Sequence, residues 1–203
     1  YDCVVAEDDR GTLMLLLAYP IARRHVIAGK FCGHLALLSL ATIAGYGSAG
    51  LTIAAISETG LADQAWTSFL GLIGSTIMLG AVFLALGTMI SARVRERGTA
   101  AGLAIGAWLF FVLIYVLGFI GLLASGLGER FNDQLIAALL LANPTDVYIM
   151  LKLTSSNDAA LLSGMSGLAG SSAISPSMLV GLLAIWIVVP FTIACVFFRR
   201  RQL

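Results

Sequence analysis

The chain has 203 residues, of which 59% are hydrophobic and 11% are charged. Soluble globular domains are about 45–50% apolar and about 25% charged, so this composition argues against a water-soluble domain and predicts an integral membrane protein. The net charge of +1 at pH 7 gives no electrostatic basis for nucleic-acid binding.

The segment 7–30, EDDRGTLMLLLAYPIARRHVIAGK, is the most unusual part of the chain. It predicts two short helices that meet at Tyr19-Pro20, because proline fits the first turn of a helix. Its acidic residues 7–9 lie where a helix N-terminus favours anions, and the apolar run 13–17 is too short to cross a bilayer. The residues alone leave two interpretations open: an amphipathic helix at the membrane interface, or a coupling helix that docks on a soluble motor protein.

Four stretches contain no Asp, Glu, Lys, Arg or His, and each exceeds the roughly 20 residues that cross about 30 Å of hydrocarbon. They cover residues 35–57, 64–92, 98–128 and 174–198. We therefore predict an all-α integral membrane protein, a polytopic helix bundle with four visible transmembrane helices in one domain over 1–203. Charge-free spans also argue against a proton- or sodium-driven transporter, because an ion path usually needs ionisable side chains inside the membrane.

The basic residues predict how these spans are oriented. All but two of the 12 Lys and Arg residues lie on one side of the predicted membrane, and the exceptions are Arg130 and Lys152. The positive-inside rule places the larger group in the cytoplasm. Both ends of the chain and the short connection 93–97 are then cytoplasmic.

The segment 125–173 is predicted to be extracytoplasmic. Within it, residues 132–142 (NDQLIAALLLA) predict a short helix capped by one of its first two residues. It would end at Asn143-Pro144, because the residue before proline avoids the α region. The helix is too short to span a bilayer, so we expect it to lie at, or dip into, the outer interface. The Ser- and Gly-rich stretch 155–176 is either an ordered loop covered by a partner or a flexible loop.

The printed sequence contains no recognisable motif for catalysis, phosphate binding or metal binding. Lys30 follows Gly29, but the pattern Gly-x-x-x-x-Gly-Lys-Ser/Thr is not met. The three cysteines and two histidines are too scattered for metal ligation. We predict no metal site, no cofactor bound by this chain and no enzymatic activity. The Gly-x-x-x-Gly pairs 29–33 and 102–106 predict close helix packing, most often within one chain.

Several motifs resemble the permease subunits of the second ABC-type permease family. The pattern Glu-x-x-x-Gly-Thr-Leu at 7–13, then Leu-Leu-Leu-x-Tyr-Pro at 15–20 and Gly-Lys at 29–30, is similar to the hallmark of that family. More narrowly, stretches such as YDCVVAEDDRGTLMLLLAYP, LLLANPTDVY and VFFRRRQL resemble the membrane subunits of ABC transporters that serve nitrous oxide reductase maturation.

The resemblance implies a permease of six spans, two of them upstream of Tyr1, where we interpret the chain as cut from a longer protein. It implies a homodimer of permeases in the bacterial inner membrane, bound to ATPase subunits that hold ATP and Mg. Region 7–25 would be the cytoplasmic coupling helix, and the outer loops would seat a periplasmic β-helical maturation protein. The implied function is assembly of the copper-sulfide cluster of the reductase, by moving a sulfur species or by acting mechanically on the periplasmic partner.

The resemblance also assigns contact residues. The ATPase contacts would be Glu7, Asp8, Asp9, Arg10, Gly11, Thr12 and Leu13, with a second cytoplasmic contact at Arg93, Arg95, Glu96 and Arg97. The periplasmic partner would lie near Asn143, Pro144, Thr145, Asp146 and Tyr148. Two other functions fit the residues: an ABC exporter permease for lipid, polysaccharide or drug, and a non-transporting membrane scaffold for a periplasmic enzyme.

Overall fold

The computed structural model describes residues 23–56, 63–125, 132–155 and 175–200, and the regular structure in these ranges is helical. The helices are α1 (Arg23–Ile56), α2 (Asp63–Arg93), α3 (Arg97–Leu109), α4 (Tyr115–Ala124), α5 (Asp133–Leu141), α6 (Pro144–Ser155) and α7 (Pro176–Arg200). A π-helical segment, Phe110–Ile114, joins α3 to α4 without a break. The predicted all-α bundle is confirmed for these residues.

Within the described residues, four helical stretches are long and apolar enough to cross a membrane, and they correspond to the four predicted spans. They are Arg24–Ile56, Trp66–Arg93, Arg97–Ala124 and Pro176–Arg199. The first helix begins at Arg23 rather than at residue 35. The second of the two short helices predicted for 7–30 is therefore continuous with the first span, while residues 1–22 lie outside the described residues.

The spans are arranged with their basic ends together. Four buried residues, one on α1, one on α2 and two on α7, form a cluster at this end: Ile27, Ala92, Ala194 and Phe198. Arg93 and Arg199 directly follow two of these residues in the sequence. We call this the basic end of the bundle and the opposite one the far end. The predicted grouping of basic residues on one side is confirmed for the described helices.

Helix α2 is the centre of the bundle, because it packs against α1, α6 and α7. Its contact with α1 depends on two glycines. A Cβ added to Gly80 would lie 2.7 Å from the Leu38 side chain, and one added to Gly50 would lie 2.7 Å from the Phe69 ring. Small residues of this kind let helix backbones approach closely in lipid.

The four glycines of the two Gly-x-x-x-Gly pairs do not serve this purpose in the described chain. A Cβ added to Gly29, Gly33, Gly102 or Gly106 would meet no atom within 4 Å. The prediction that these pairs report packing within one chain is therefore wrong for the described residues. A local pattern identifies a small face on a helix, but only the arrangement of helices decides which small face is covered.

Helices α5 and α6 form a hairpin whose first arm runs into the bundle. The predicted helix 132–142 is confirmed as α5, with Asn132 at its N-cap. The Tyr115 hydroxyl donates to the Leu139 carbonyl at 2.7 Å, and the Asn143 side chain donates to the Phe111 carbonyl at 3.0 Å. Because Phe111 is nearer the basic end than Tyr115, α5 descends from the far end toward the middle of the third span.

The second arm, α6, returns toward the far end at a bend of 108°. The Tyr148 hydroxyl lies 3.2 Å from the Thr76 hydroxyl. One turn later, the Lys152 ammonium donates to the Gly71 carbonyl at 3.2 Å, closer to the far end of α2. The hairpin therefore enters and leaves on the same side. It is a re-entrant segment rather than a fifth span, and it extends deeper than the interface position expected for α5 alone.

Gly80→Val should destabilise the chain by about 1–3 kcal/mol, because the added methyl groups force the Leu38 side chain out of its contact. Gly74→Val is the matched control on the same helix, since nothing lies within 4 Å of its added Cβ; we expect a change within about 0.5 kcal/mol. Denaturant unfolding in lipid micelles, followed by circular dichroism, measures both. An equal decrease in the free energy of unfolding in the two variants would contradict the close contact between α1 and α2.

Candidate functional site

The turn between α2 and α3 lies at the basic end and is exposed. Arg93, Arg95, Glu96 and Arg97 all have exposed side chains. The Arg93 guanidinium lies over the Phe197 ring, 5.7 Å from its centroid, so it is also positioned by α7. These four residues were predicted to form a cytoplasmic contact with an ATPase. Their exposure at the basic end leaves them accessible, and the contact itself stays a prediction.

The other predicted cytoplasmic contact, the seven residues from Glu7 to Leu13, lies outside the described residues. Their contact with an ATPase therefore stays a prediction. Arg23, the first residue of α1, lies at the basic end of the bundle. This is the end at which the exposed turn of α2 and α3 lies.

The deep end of the hairpin is built by the sequence Asn-Pro-Thr-Asp. Asn143 precedes the first residue of α6, and its side-chain oxygen accepts a hydrogen bond from the Thr145 backbone N–H at 3.1 Å. Its side-chain nitrogen donates to the Asp146 carboxylate at 3.0 Å. This is the arrangement of a helix N-cap with an acidic residue three positions later, and Pro144 occupies the first helical position that suits it.

The same Asn143 amide also binds the third span. Its nitrogen donates to the Phe111 carbonyl at 3.0 Å. At about 1.5 Å per residue, Phe111 lies roughly 20 Å along the span from Arg97, near the middle of a bilayer. Asn143 is 0% exposed, so one buried side chain caps α6, contacts Asp146 and attaches the hairpin to the third span.

An apolar shell surrounds this polar turn. Residues of α2, α5, α6 and α7 form the main buried cluster: Val82, Leu86, Leu140, Val147, Met150, Leu151, Leu179 and Leu183. The Phe111 ring packs edge-on against Trp186 of α7, with centroids 5.4 Å apart. The polar groups of the turn are thus shielded from lipid. The Asn143 side chain makes its hydrogen bonds inside the protein, as the bilayer interior favours, whereas the buried Thr145 hydroxyl has no hydrogen-bond partner among the described residues.

The residues predicted to contact a periplasmic partner are placed differently from one another. Asn143 and Pro144 are fully buried and Asp146 is only 8% exposed. Thr145 and Tyr148 are half-buried. The first three side chains are directed into this chain, so the structure does not support direct contact with a partner through them. Partner contact by this segment as a whole stays a prediction.

Asp146 also changes an inference drawn from the spans. The cores of the four spans are free of charged residues, as the sequence shows. The hairpin nevertheless carries a carboxyl group to the depth of Phe111. It lies in the first turn of α6, where the helix dipole favours an anion. The spans lack the ionisable side chains that an ion path usually needs, but the hairpin brings one such side chain, Asp146, to the depth of Phe111.

The sequence analysis interpreted the Asn-Pro pair as the end of α5 and as part of a partner contact, but not as the start of a further helix. The signal for α6 was present in the next residues, because an N-cap asparagine, a proline at the first position and an aspartate at the third are typical of a helix start. The π-helical segment has no comparable local signal. Over residues 23–56, 63–125, 132–155 and 175–200, no three His, Cys, Asp or Glu side chains gather as metal ligands.

Comparison with known proteins agrees with this architecture. The sequence profile described as "ABC-2 family transporter protein" matches residues 1–203. The chain belongs to the ABC-2 family of transporter permeases. An ABC-2 permease subunit is not itself catalytic, and the family implies dimerisation and a separate ATPase partner. The chain is therefore part of a multi-pass membrane protein of the ABC class.

Two relatives match this ABC-2 permease along almost its whole length. One, from Pseudomonas aeruginosa, is 41% identical over 203 residues, covering 100% of this chain and 73% of the relative. The other, from Stutzerimonas stutzeri, is 39% identical over 201 residues, covering 99% of this chain and 72% of the relative. Both are named "Probable ABC transporter permease protein NosY". The predicted resemblance to this group of permeases is confirmed.

Asn143→Leu should destabilise the folded chain by roughly 2–4 kcal/mol, because it leaves the Phe111 carbonyl and the Asp146 carboxylate without their partner. Tyr148→Phe is the control within the hairpin. It removes only the hydrogen bond to Thr76, so we expect a loss of about 1 kcal/mol or less. Denaturant unfolding in lipid micelles compares the two. Similar losses would show that Asn143 has no special importance in the hairpin.

Proposed function

We propose that this chain is the membrane permease of an ABC transporter required for maturation of the copper-sulfide cluster of nitrous oxide reductase. The observation that carries the proposal is the near-complete match to two permeases named NosY, at 41% and 39% identity. It is supported by the stretches that resemble this group, including LLLANPTDVY, whose Asn-Pro-Thr-Asp residues form the deep turn of the hairpin.

ATPase motion would enter at the basic end. The segment 7–13 and the exposed turn Arg93–Arg97 would form the contact with a separate ATPase that holds ATP and Mg. Charged side chains such as Arg95 and Glu96 suit this contact, because complementary charges orient a partner and set its register. A second copy of this permease would complete a homodimer in the bacterial inner membrane.

Helix α2 offers a rigid path from that contact to the hairpin. At about 1.5 Å per residue, its length from Asp63 to Arg93 is roughly 45 Å, enough to cross the bilayer. Arg93 lies at its basic end, whereas Thr76 and Gly71 bind the hairpin on its far half. A tilt of α2 at the basic end would therefore move α6 on the far half of the membrane.

The far end would seat the periplasmic β-helical maturation protein. Asn143, Pro144 and Asp146 would act by holding the hairpin in position, since they are buried. The hairpin would transmit the motion either to a sulfur species that crosses the membrane or to the periplasmic partner directly. In either case the energy is supplied by the ATPase chain.

Glu7→Lys and Asp8→Lys should each reduce the capture of the ATPase by the detergent-solubilised permease about tenfold, equivalent to 1.4 kcal/mol of binding free energy. The reason is that each reversal places a like charge against the complementary surface of the ATPase. Glu58→Lys is the control of equal charge change, because Glu58 lies between the predicted spans 35–57 and 64–92 and is therefore predicted to be on the side opposite the ATPase. Co-purification with the tagged permease, quantified by the ATPase-to-permease ratio, is the measurement.

Unchanged capture in both reversals would contradict the coupling-helix assignment. Absence of any ATP-binding chain from the purified complex would favour the membrane scaffold instead.

Deletion of the gene in its denitrifying host should leave nitrous oxide reductase without its copper-sulfide cluster and abolish nitrous oxide reduction. The measurements are nitrous oxide consumption by cells and the visible absorption of the purified reductase. Restoring the intact gene should recover both, and restoring the Glu7→Lys gene should not. A fully active reductase in the deletion strain would reject the maturation role and favour an exporter of lipid, polysaccharide or drug.

A further inference from the structure

The third span changes its hydrogen-bond register at Phe110–Ile114. The Tyr115 backbone N–H donates to the Phe110 carbonyl, five residues back, instead of to Phe111 as in an α-helix. The Phe111 carbonyl thereby loses the partner that the α register would give it. Such π-helical turns are rare and are frequently found at functional sites.

Asn143 supplies the replacement partner. Its side-chain nitrogen donates to the Phe111 carbonyl at 3.0 Å, from a residue that is fully buried. Four residues further along the same span, the Tyr115 hydroxyl donates to the Leu139 carbonyl of α5 at 2.7 Å. These two hydrogen bonds between the hairpin and the span therefore lie within or directly beside the π-helical segment.

The α register would weaken these contacts. In that register the Tyr115 N–H would donate to the Phe111 carbonyl, which would then no longer depend on Asn143 for a partner. Each residue of an α-helix turns the chain by about 100°, so absorbing the extra residue would also rotate α4 by roughly that angle. The Tyr115 hydroxyl would then point away from Leu139.

We propose that the π-helical segment and Asn143 form a two-state latch. In one state the segment is π-helical and the hairpin is docked; in the other the segment is α-helical, α4 is rotated and the hairpin is released. This inference rests on the proposed permease function in one respect, namely that the motion of the ATPase drives the exchange between the two states. The energetic basis is that the Tyr115 N–H would supply a partner for the Phe111 carbonyl in the α register, whereas in the π register that donor goes to Phe110 and Asn143 supplies the partner instead.

Spin-label distances test the latch in the full-length permease bound to its ATPase. Labels at Ile120 on α4 and Met178 on α7 suit this purpose, because the two side chains are 56% and 51% exposed. On a helix about 10 Å across, a rotation of roughly 100° moves a side-chain tip by about 8 Å. Dilution of labelled copies with unlabelled ones restricts the signal to distances within one chain.

Three variants separate the latch from general loosening of the bundle. Asn143→Ser keeps an oxygen that caps α6, but its side chain is too short to reach the Phe111 carbonyl. Without nucleotide, this variant should therefore already give the label distance of the released state, which we call the second distance. Tyr148→Phe breaks the hairpin contact with Thr76 instead, and should retain the distance of the unaltered protein. Leu113 is a half-exposed residue of the π-helical segment. Its deletion removes the extra residue, so the span can become α-helical while α3 and α4 keep the relative rotation that they have in the docked state. It should therefore give only the docked distance.

Nucleotide trapping of the ATPase should produce the second distance in the unaltered protein and not in the Leu113 deletion. The latch is overturned if Asn143→Ser retains the docked distance alone, or if the deletion variant responds to nucleotide as the unaltered protein does. Should Asn143→Ser fail to accumulate in membranes, the deletion variant decides. Should no ATPase associate with the permease, the proposed function fails, while the nucleotide-free comparison of Asn143→Ser with Tyr148→Phe still tests the latch.

Discussion

The reversal of the chain at Asn143 is the constraint on which the far half of this bundle depends. A backbone that turns near the middle of a bilayer cannot use water for its polar groups, so each group needs a partner inside the protein. Asn143 provides three such bonds, to the Thr145 N–H, the Asp146 carboxylate and the Phe111 carbonyl. The last bond goes to a carbonyl of the π-helical segment, whose Tyr115 N–H donates to Phe110 instead of to Phe111. The turn of the hairpin therefore contacts the third span at its irregular segment.

Around this turn, van der Waals contacts between closely packed helices stabilise the bundle. The hydrophobic effect contributes little here, because lipid is as apolar as the helices that it surrounds. Helix α2 makes most of the contacts. The tightest ones are with α1, at Gly80 of α2 and at Gly50 of α1. The third span contacts the end of α2 beside their shared turn, and further along it contacts the hairpin and Trp186. Its large apolar side chains, such as Leu103 and Ile114, are otherwise exposed, which suits lipid or a second permease.

The proposed transmission of motion along α2 requires contacts at both of its ends, and α2 makes such contacts. At the basic end its last residue, Arg93, lies over Phe197 of α7. On the far half, Thr76 and Gly71 bind the returning arm of the hairpin. The two ends are joined by a continuous helix, as the proposed transmission requires. This geometry agrees with an ABC-2 permease whose work is driven by a separate ATPase.

The sequence by itself determined the membrane environment, the four spans, the grouping of basic residues and helix α5, because length, charge and capping are properties of contiguous residues. The motifs at 7–13 and 143–148 also indicated the permease family. Only the tertiary structure decided that α6 returns through the bundle, that Asp146 lies at mid-depth, and that Gly80 rather than Gly102 is covered. These features depend on contacts between residues far apart in the chain, such as Asn143 with Phe111, and a local pattern contains no information about which distant carbonyl will lack a partner.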